Sequence, residues 1–412
     1  MSSETVSYWH KTLSSEARAA VSALPTQADA VVVGGGILGT CCAYWLARMG
    51  VQVLQLDQTS LAAGATGRNG GFVTIGAAMS YPEAINQFGH AAALEMWQLT
   101  YTSRQLLRDV LHDEQIDCDY REPGTLTLAL SEAELGQMQH TAQQMAADNM
   151  PAETIGRRQV QSLINTPVSD AVCGGKFSPN GGLLHSARFV HGLAKAAQRH
   201  GATTAIATLQ GIQSSGDGIT LTTSLGPIHT RAVIVATNAW TRQLVPAMQG
   251  VITPVRGQIL SYAPIDRVFT QGIGAGVTPT GEYWQQTLDG SIVLGGCRAA
   301  HPNKDVDSLS TQVSDDVMGA LEQVMARLFP KLGNLKVAQR WAGQMAFTPD
   351  YLPVLDAVPG IANAYFTGGF CGHGMPFGMI FGKLLAEAVS SGQPRQLPTS
   401  LRHFAASRPT LN

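Results

Sequence analysis

Charged side chains are scarce in this chain of 412 residues, at 14% of the total, and neither sign dominates. The 27 Lys and Arg residues against 29 Asp and Glu residues leave a formal net charge of −2. No basic stripe runs along the chain, which argues against nucleic acid as a partner. At this length two domains are the default expectation, because a single core rarely organises so many residues.

Cysteines and long apolar runs are sparse as well. The six cysteines are scattered apart from the adjacent Cys41 and Cys42, which predicts reduced thiols rather than a disulfide framework or a metal site. Residues 1–27 contain no sustained apolar core, so no signal peptide is expected. Residues 30–47 lack charge, but their glycines indicate a buried strand, a turn and a helix. We therefore expect no transmembrane segment and a cytoplasmic location.

The clearest pattern is Val-Val-Val-Gly-Gly-Gly-Ile-Leu-Gly at residues 31–39. The valines predict a buried strand, and each of three glycines has its own task. Gly34 permits the turn out of the strand, Gly36 lets a pyrophosphate approach the backbone, and Gly39 lets the following helix pack against the strand. The order strand, glycine turn and helix predicts a dinucleotide-binding unit.

The residues that follow favour an adenine dinucleotide. Ile37 and Leu38 begin the helix, whose N-terminus offers free N–H groups and partial positive charge to phosphates. Asp57, with Gln58 after it, ends a second apolar run eighteen residues beyond Gly39. A carboxylate there accepts hydrogen bonds from ribose hydroxyls and repels a 2′-phosphate. The pattern disfavours NADP, leaves NAD or FAD, and predicts that these residues contact the cofactor.

Periodicity and turn residues predict the other elements. The N-terminal residues up to Pro25 look like a helical lead-in, and Ser131 with Glu134 has the spacing of a capping box. Further helices are expected at 83–111, up to residue 149, at 189–200, at 312–329 and at 379–391. Strands are expected at 201–209, 232–236, 259–263 and 291–294.

Six segments carry a family resemblance. They are Gly-Ala-Thr-Gly-Arg-Asn-Gly-Gly at 64–71, Ile-Asp-Cys-Asp-Tyr-Arg at 116–121, Ala-Thr-Asn-Ala-Trp at 236–240, Pro-Val-Arg-Gly-Gln at 254–258, the stretch from Tyr283-Trp284 to Gly295-Gly296, and a last group formed by Trp-Ala-Gly at 341–343, Thr-Pro-Asp at 348–350 and Gly-Gly-Phe-Cys-Gly-His-Gly-Met at 368–375. In this order they resemble the D-amino-acid oxidase-like flavoproteins, which include glycine, sarcosine and γ-glutamylputrescine oxidases.

The resemblance implies FAD rather than NAD, and an α/β fold with a discontinuous, Rossmann-like FAD-binding domain. Residues 1–80, 150–245 and 335–412 would form that domain. Residues 81–149 and 246–334 would form a second, α+β substrate-binding domain that contains an antiparallel sheet.

The resemblance also implies which residues lie against the cofactor. They are Arg68, Asn69, Gly70 and Gly71 on one side of the flavin, and Thr237, Gly369, Gly372, His373, Gly374 and Met375 on the other. Arg68 could offer its charge to phosphate or substrate, or the segment could be a plain glycine loop with Arg68 in solvent. His373 could donate a hydrogen bond or a proton, or be a structural histidine.

Amine oxidation on a flavin needs little acid–base machinery, because a neutral amine can lose hydride to flavin N5 and the imine then hydrolyses. The family's substrate sheet would present Tyr283 and Trp284 to the pocket, where an aromatic wall suits an alkylamine. The alternative is that both pack in the core of the sheet. With Arg68 and His373, Tyr283 completes the set of predicted catalytic residues.

The chain departs from its relatives at four positions. Met345 replaces the arginine with which glycine and D-amino-acid oxidases hold the substrate carboxylate, and Pro376 replaces the lysine of sarcosine oxidases. Val293 stands where sarcosine oxidases carry an oxygen-activating lysine, and Gly343 where they carry the cysteine that binds flavin covalently. We therefore expect non-covalent FAD. A carboxylate clamp would have to come from another arginine, and the candidates are Arg68, Arg256, Arg298 and Arg340.

The leading hypothesis is an FAD-dependent amine or amino-acid oxidase that reoxidises its flavin with oxygen. One alternative is a dehydrogenase that passes electrons to a quinone or a partner protein. Another is a flavin-binding subunit or assembly factor without turnover. The sequence leaves open the substrate, its stereochemistry and whether the chain forms a homo-oligomer.

Overall fold

The strands form two large sheets and one small one in a computed structural model that describes residues 5–13, 24–216, 218–390 and 399–411. The strands are β1 (Gln27–Val33), β2 (Val53–Asp57), β3 (Phe72–Val73), β4 (Thr125–Ala129), β5 (Glu153–Gly156), β6 (Gly174–Ser178), β7 (Gly182–Leu183), β8 (Thr203–Ile206), β9 (Leu209–Ser215), β10 (Gly218–Thr223), β11 (Gly226–Val235), β12 (Thr253–Tyr262), β13 (Gly272–Ala275), β14 (Glu282–Gln286), β15 (Ile292–Gly296), β16 (Val337–Phe347), β17 (Val354–Ala357) and β18 (Ala364–Gly368).

Helices cover both large sheets. They are α1 (Tyr8–Lys11), α2 (Ile37–Arg48), α3 (Tyr81–Phe88), α4 (His90–Asp113), α5 (Glu132–Ala147), α6 (Arg157–Leu163), α7 (Ser186–Arg199), α8 (Thr241–Leu244), α9 (Asp315–Leu328) and α10 (Gly374–Ser390).

The first sheet confirms the predicted Rossmann-like unit. Its order is β17-β18-β11-β1-β2-β8, with the β9–β10 hairpin attached to β11. The strands from β18 to β8 run parallel. The valines at 31–33 and the apolar residues at 233–235 are almost fully buried, because helices α2 and α7 pack on one face of this sheet and the β9–β10 hairpin with residues 245–252 packs on the other. A strand that is buried on both faces has a continuous apolar run, whereas a strand with one face in solvent would alternate between apolar and polar residues.

The second sheet has the order β16-β12-β15-β14-β13-β4-β6-β5. It is antiparallel except for the parallel pair β13–β4, and so fits the predicted α+β unit. One face packs on α9 in a hydrophobic core that contains Trp284 and Phe329.

Sheet membership bears on the expected domain boundaries. The strands β5, β6 and β16 lie in segments that the sequence assigned to the FAD-binding domain, yet they pair in the second sheet. Pairing across a sheet joins segments far apart in the chain, so local patterns carry little information about it. By sheet membership, these three strands belong to the second sheet rather than to the Rossmann-like sheet. The division into domains otherwise stays a prediction.

Local details refine several expected helices. The predicted helix at 83–111 is two helices, since Gly89 adopts φ 85° between α3 and α4. The Ser131 hydroxyl caps α5 through the Glu134 N–H, but the Glu134 carboxylate accepts from the Leu130 N–H instead of completing the capping box. The predicted helical lead-in gives only the short α1, and residues 14–23 lie outside the described part of the chain.

The sequence analysis also predicted no transmembrane segment and reduced cysteines. In the described ranges no helix is both long and apolar enough to cross a membrane. All six cysteines carry free thiols.

Candidate functional site

A cavity of about 1120 Å³ lies between the two large sheets. One end is lined by residues at the carboxyl ends of β1, β2, β8 and β11, which is where open parallel sheets bind ligands. The other end is lined by one face of the second sheet, including Tyr283. Ordinary ligand pockets measure about 300–1,000 Å³, so the cavity has room for a large cofactor and a second molecule.

Gly34 and Gly36 of the glycine turn line the first end of the cavity. Gly39, which we also expected to contact the cofactor, does not line it. Gly34 adopts φ 124°, and a Cβ there would lie 2.5 Å from the Ala236 carbonyl oxygen. A Cβ on Gly36 would have only the Thr66 hydroxyl nearby, at 3.2 Å, so this backbone is open to the cavity. Gly39 instead packs on the strand, since its Cβ would lie 2.0 Å from the Gly34 carbonyl oxygen.

Thr66 is a contact that the sequence reasoning missed. Its hydroxyl accepts a hydrogen bond from the Ile37 N–H (3.0 Å) and so caps the first turn of α2. The first turn of a helix leaves further N–H groups without intrahelical partners, and the N–H of Leu38 is among them. Both Ile37 and Leu38 line the cavity. The signal was present, because Thr66 lies in one of the six family segments.

Asp57 and Gln58 line the cavity at the end of β2. The Asp57 carboxylate is oriented by the Gly35 N–H (2.7 Å) and by the N–H groups of Thr59 and Ser60. Oδ1 accepts from three donors, including the Thr59 hydroxyl, so the lone pair left for a ribose hydroxyl is on Oδ2, which accepts only from the Gly35 N–H.

The loop at 68–71 is more embedded in the protein than the sequence indicated. Arg68 is buried, and its guanidinium donates to the carbonyl oxygens of Ala63, Thr5 and Ala342, each at 3.0 Å. The expectation that Arg68 offers its charge to phosphate or substrate is therefore weakened, because these donors already hold three backbone segments together. Arg68 nevertheless lines the cavity.

The rest of this loop divides between the cavity and the core. Asn69 and Gly70 line the cavity, whereas Gly71 does not. Gly71 has φ 73°, and its Cβ would lie 2.4 Å from the Leu184 carbonyl oxygen, so it serves close packing. The Gln285 side chain donates to the Gly70 carbonyl and joins the loop to β14.

An N-terminal segment, residues 5–12, holds the same loop from the other side. The Ser7 hydroxyl donates to the Gly67 carbonyl (2.6 Å), Trp9 Nε1 to the Asn69 carbonyl (2.6 Å), and His10 Nε2 to the Ala62 carbonyl (3.0 Å). His10 also lines the cavity. Local sequence patterns predicted only a helical lead-in here, because these contacts join distant parts of the chain.

The segment at 369–375 also borders the cavity. Gly372, His373, Gly374 and Met375 line it, and so does Thr237 beyond β11. Gly369 does not, since its Cβ would lie 2.5 Å from Thr348 Cγ2. The helix α10 begins at Gly374, so its N-terminus faces the cavity and favours negative charge there.

His373 is neutral at ordinary pH, because burial lowers its pKa. Its Nδ1 lies 3.3 Å from the Cys371 carbonyl oxygen, which can only accept, so Nδ1 carries the proton. The other ring nitrogen, Nε2, then has a free lone pair.

The second sheet separates the two predicted aromatics. Tyr283 lines the cavity and packs edge-on against Phe72, with ring centroids 5.9 Å apart. Its ring fits between Gly70 and Gly295, where added Cβ atoms would lie 2.7 Å and 2.6 Å from it. Trp284 points to the other face and is fully buried. The two side chains differ in this way because neighbours on a strand alternate between faces, and a contact of Tyr283 with substrate stays a prediction.

The match to a family model identifies the cofactor of this chain. A model of the FAD dependent oxidoreductases matches residues 29–388. The chain belongs to this family. Its members are FAD-dependent, so the predicted cofactor and the predicted family are both confirmed.

Individual relatives agree with this assignment. γ-Glutamylputrescine oxidoreductase from Escherichia coli is 24% identical over 384 residues, which cover 89% of this chain and 84% of the relative. An opine oxidase subunit from Agrobacterium tumefaciens is 25% identical over 397 residues, which cover 93% and 98%. The structure of glycine oxidase from Geobacillus kaustophilus matches the fold with a TM-score of 0.80 at 20% identity, over 93% of this chain and 99% of that one.

The residues present fit FAD. The open backbone at Gly36, the N-terminus of α2 and the Asp57 carboxylate suit pyrophosphate and ribose. Position 343 offers no attachment point for flavin, because glycine has no side chain, and a Cβ there would lie 2.8 Å from Arg68 Cβ. This crowding agrees with the prediction that FAD is bound without a covalent link.

The four candidate arginines of this flavoenzyme have different surroundings. Arg256 is buried against Asp305 (3.0 Å from Nε), and Arg340 pairs with Glu322. Arg68 is occupied as described above. Arg298 lines the cavity, with its guanidinium carbon 5.1 Å from the centre of the Phe347 ring. Among the described residues Arg298 has no carboxylate partner, and it donates one bond, to the Lys304 carbonyl (2.9 Å).

Proposed function

We propose that this protein oxidises a C–N bond of an amine that carries a carboxylate, and that Arg298 binds the carboxylate. The observation that carries the proposal is a cavity-lining arginine without a carboxylate partner in the described part of the chain, beside Tyr283 and Phe347. A guanidinium suits a carboxylate because it can donate two parallel hydrogen bonds. The names of the relatives, which include γ-glutamylputrescine, opine and glycine oxidising enzymes, support amines and amino acids as the substrate class.

Bound FAD supplies the two-electron oxidant for the substrate C–H bond, and the imine product hydrolyses in water. The protein positions the amine and excludes solvent. Burial raises the pKa of Tyr283 to about 12, so its phenol stays protonated and donates a hydrogen bond to the substrate. His373 Nε2 is suited to take a proton from the substrate amine, because the ring is neutral. Phe72, Met345 and Phe347 supply apolar wall.

Oxygen is the proposed electron acceptor. Val293 is fully buried and stands where sarcosine oxidases carry their oxygen-activating lysine, so a dehydrogenase with a quinone or protein acceptor is the second candidate. The relative named as part of an opine oxidase keeps a third candidate open, a flavin-bearing subunit without turnover of its own. The free thiols of all six cysteines support the predicted cytoplasmic location.

Anaerobic mixing of the purified holoprotein with amines, D- and L-amino acids and N-methyl amino acids tests the proposal. We expect amines with a carboxylate to bleach the flavin and air to restore it with release of peroxide. Bleaching that only an artificial acceptor reverses would establish the dehydrogenase. A flavin that no amine bleaches would contradict catalysis of this kind.

Arg298→Gln tests the carboxylate site. We expect KM for carboxylated amines to rise about 10- to 100-fold, since a hydrogen bond to a charged group contributes about 1.5–3 kcal/mol. Turnover of amines without a carboxylate should not change. Arg340→Gln is the matched control, because Arg340 bonds Glu322 at the surface. An unchanged KM in Arg298→Gln would remove this residue from the site.

A further inference from the structure

A row of residues crosses the second sheet on the face that lines the cavity. The register places Tyr283 opposite Gly274, Gly274 opposite Thr127, and Thr127 opposite Lys176. Residues that are directly opposite on neighbouring strands share a face, so Lys176 lies on the same face as Tyr283. Neighbouring strands are about 4.8 Å apart, which puts the backbone of Lys176 about 14 Å from that of Tyr283.

Small residues, Gly274 and Thr127, occupy the two positions between Tyr283 and Lys176 in this row. A Cβ on Gly274 would have nothing closer than the Glu282 carbonyl oxygen, at 3.6 Å. Thr125 and Thr127 continue the cavity wall along β4, and Lys176 is on β6, the next strand. The cavity therefore extends from Tyr283 to the strand adjacent to Lys176.

Lys176 is a cation without a partner. It is half-buried, yet no hydrogen bond or ion pair joins its ammonium to any residue that the structure describes. Burial lowers the pKa of this ammonium. The buried arginines of this protein have partners: Arg256 pairs with Asp305, Arg408 pairs with Asp350, and Arg68 donates to backbone carbonyls. An unpaired buried charge is costly, and an anionic group of a ligand would offset that cost.

We propose that Lys176 anchors a second anion site, which binds a carboxylate at the far end of an extended substrate. Arg298 follows β15 and Lys176 lies on β6, so the two cations flank Tyr283 on opposite sides. The substrate class is an amine with two carboxylates, whose oxidised C–N bond lies between them. The assignment of the nearer carboxylate rests on the proposed function, whereas the site at Lys176 does not.

Straight-chain dicarboxylates and monocarboxylates of equal length test the site without turnover. Their binding to the holoprotein is measured by the change in flavin absorbance. We expect dicarboxylates of suitable length to bind at least about tenfold more tightly than monocarboxylates, because both cations are engaged. Lys176→Met should abolish this preference and Lys176→Arg should keep much of it. Lys331→Met, at an exposed position, should behave as wild type.

Equal binding of both ligand classes to the wild type, or a preference that survives in Lys176→Met, would overturn the proposal. A preference that depends on Lys176 in a protein whose flavin no amine bleaches would support this site and contradict the proposed function. The two failures are therefore distinguishable.

Thermal unfolding gives an independent readout. Without ligand, Lys176→Met should be at least as stable as wild type, since methionine keeps the apolar stem and removes an unpaired charge. Dicarboxylates should raise Tm of the wild type but not of the variant. A Tm that falls by several degrees in the ligand-free variant would show that the ammonium has a structural partner, and would overturn the proposal.

Discussion

At the scale of single residues, Gly36 and Gly39 lie three positions apart and have separable roles. Gly36 adopts φ −82°, which any residue tolerates, and its Cβ would meet only the Thr66 hydroxyl. We expect Gly36→Val to fold but to purify without FAD, because the side chain would occupy the approach of the phosphates. Flavin absorbance reports occupancy and circular dichroism reports folding. Yellow protein with full occupancy would contradict this role.

Gly39→Ala is the contrasting variant. Its Cβ would lie 2.0 Å from the Gly34 carbonyl oxygen, and that backbone cannot move without displacing the strand. We expect the free energy of unfolding to fall by about 1–3 kcal/mol or more, as overpacking of a filled site does. A Gly39→Ala protein as stable as wild type would show that the helix can shift away from β1.

Local patterns indicated which residues of the glycine turn and of β2 line the cavity, but not the surroundings of the arginines. Gly34, Gly36 and Asp57 follow from local chain geometry and all line the cavity, while their contacts with FAD stay a prediction. Arg68 looked like a phosphate or substrate ligand, but its donors hold three carbonyls from distant segments. Arg298 was one of four candidates, and its selection needed the positions of Asp305 and Glu322, which no local pattern reveals.

At the scale of elements, the N-terminal segment at 5–12 precedes the part that the family model matches and still holds the loop at 62–69. Trp9→Phe removes the hydrogen bond to the Asn69 carbonyl. We expect FAD to bind more weakly by about 1 kcal/mol, or about fivefold in Kd, because a typical hydrogen bond contributes that much. Titration of apoprotein with FAD measures the change.

Trp45→Phe is the matched control for this prediction. Trp45 is also buried, but its Nε1 has no hydrogen-bond partner in the described part of the chain. Both variants lose the same part of the ring, so only Trp9→Phe tests the bond to the loop. Equal affinities of the two variants for FAD would mean that the segment does not position the loop.

Elements with a local signal were predicted well, and their partners were not. The strand β1, the helix α2 and the helix α9 follow from apolar runs, periodicity and terminal Gly or Pro. The pairing of β16 with β12, and of β5 with β6, depends on register between distant segments. The residues of one strand do not identify the strand with which it pairs. That pairing also depends on the residues of the partner strand and on the fold that brings the two together.

At the scale of the whole molecule, a buried ion pair joins the C-terminal segment to the turn that follows β16. The Arg408 guanidinium donates to both carboxylate oxygens of Asp350, at 2.6 and 2.8 Å, and both residues are buried. Asp350 follows Phe347, a cavity-lining residue at the end of β16, by three positions. The pair therefore joins the last described residues to the substrate end of the site.

The pH dependence of this ion pair follows from the pKa of Asp350. Burial alone would raise this pKa, but the hydrogen bonds from Arg408 and Thr410 hold it below the usual value. A depressed pKa contributes stability above the unfolded value of about 3.9, and this contribution is lost as the pH falls through the folded pKa. The pair should therefore stabilise the fold throughout the neutral range and fail only in strong acid.

Arg408→Met should lower the free energy of unfolding at pH 7 by about 3–5 kcal/mol, because it leaves a buried carboxylate without its partner. Acidification should reduce the difference in the free energy of unfolding between this variant and wild type, since a protonated Asp350 no longer needs a cation. Adding Asp350→Asn should recover part of the loss at pH 7, because the double variant buries no charge. Urea unfolding from pH 3 to pH 8 measures all three proteins. A gap that stays constant across this range would mean that charge pairing does not hold the C-terminal segment in place.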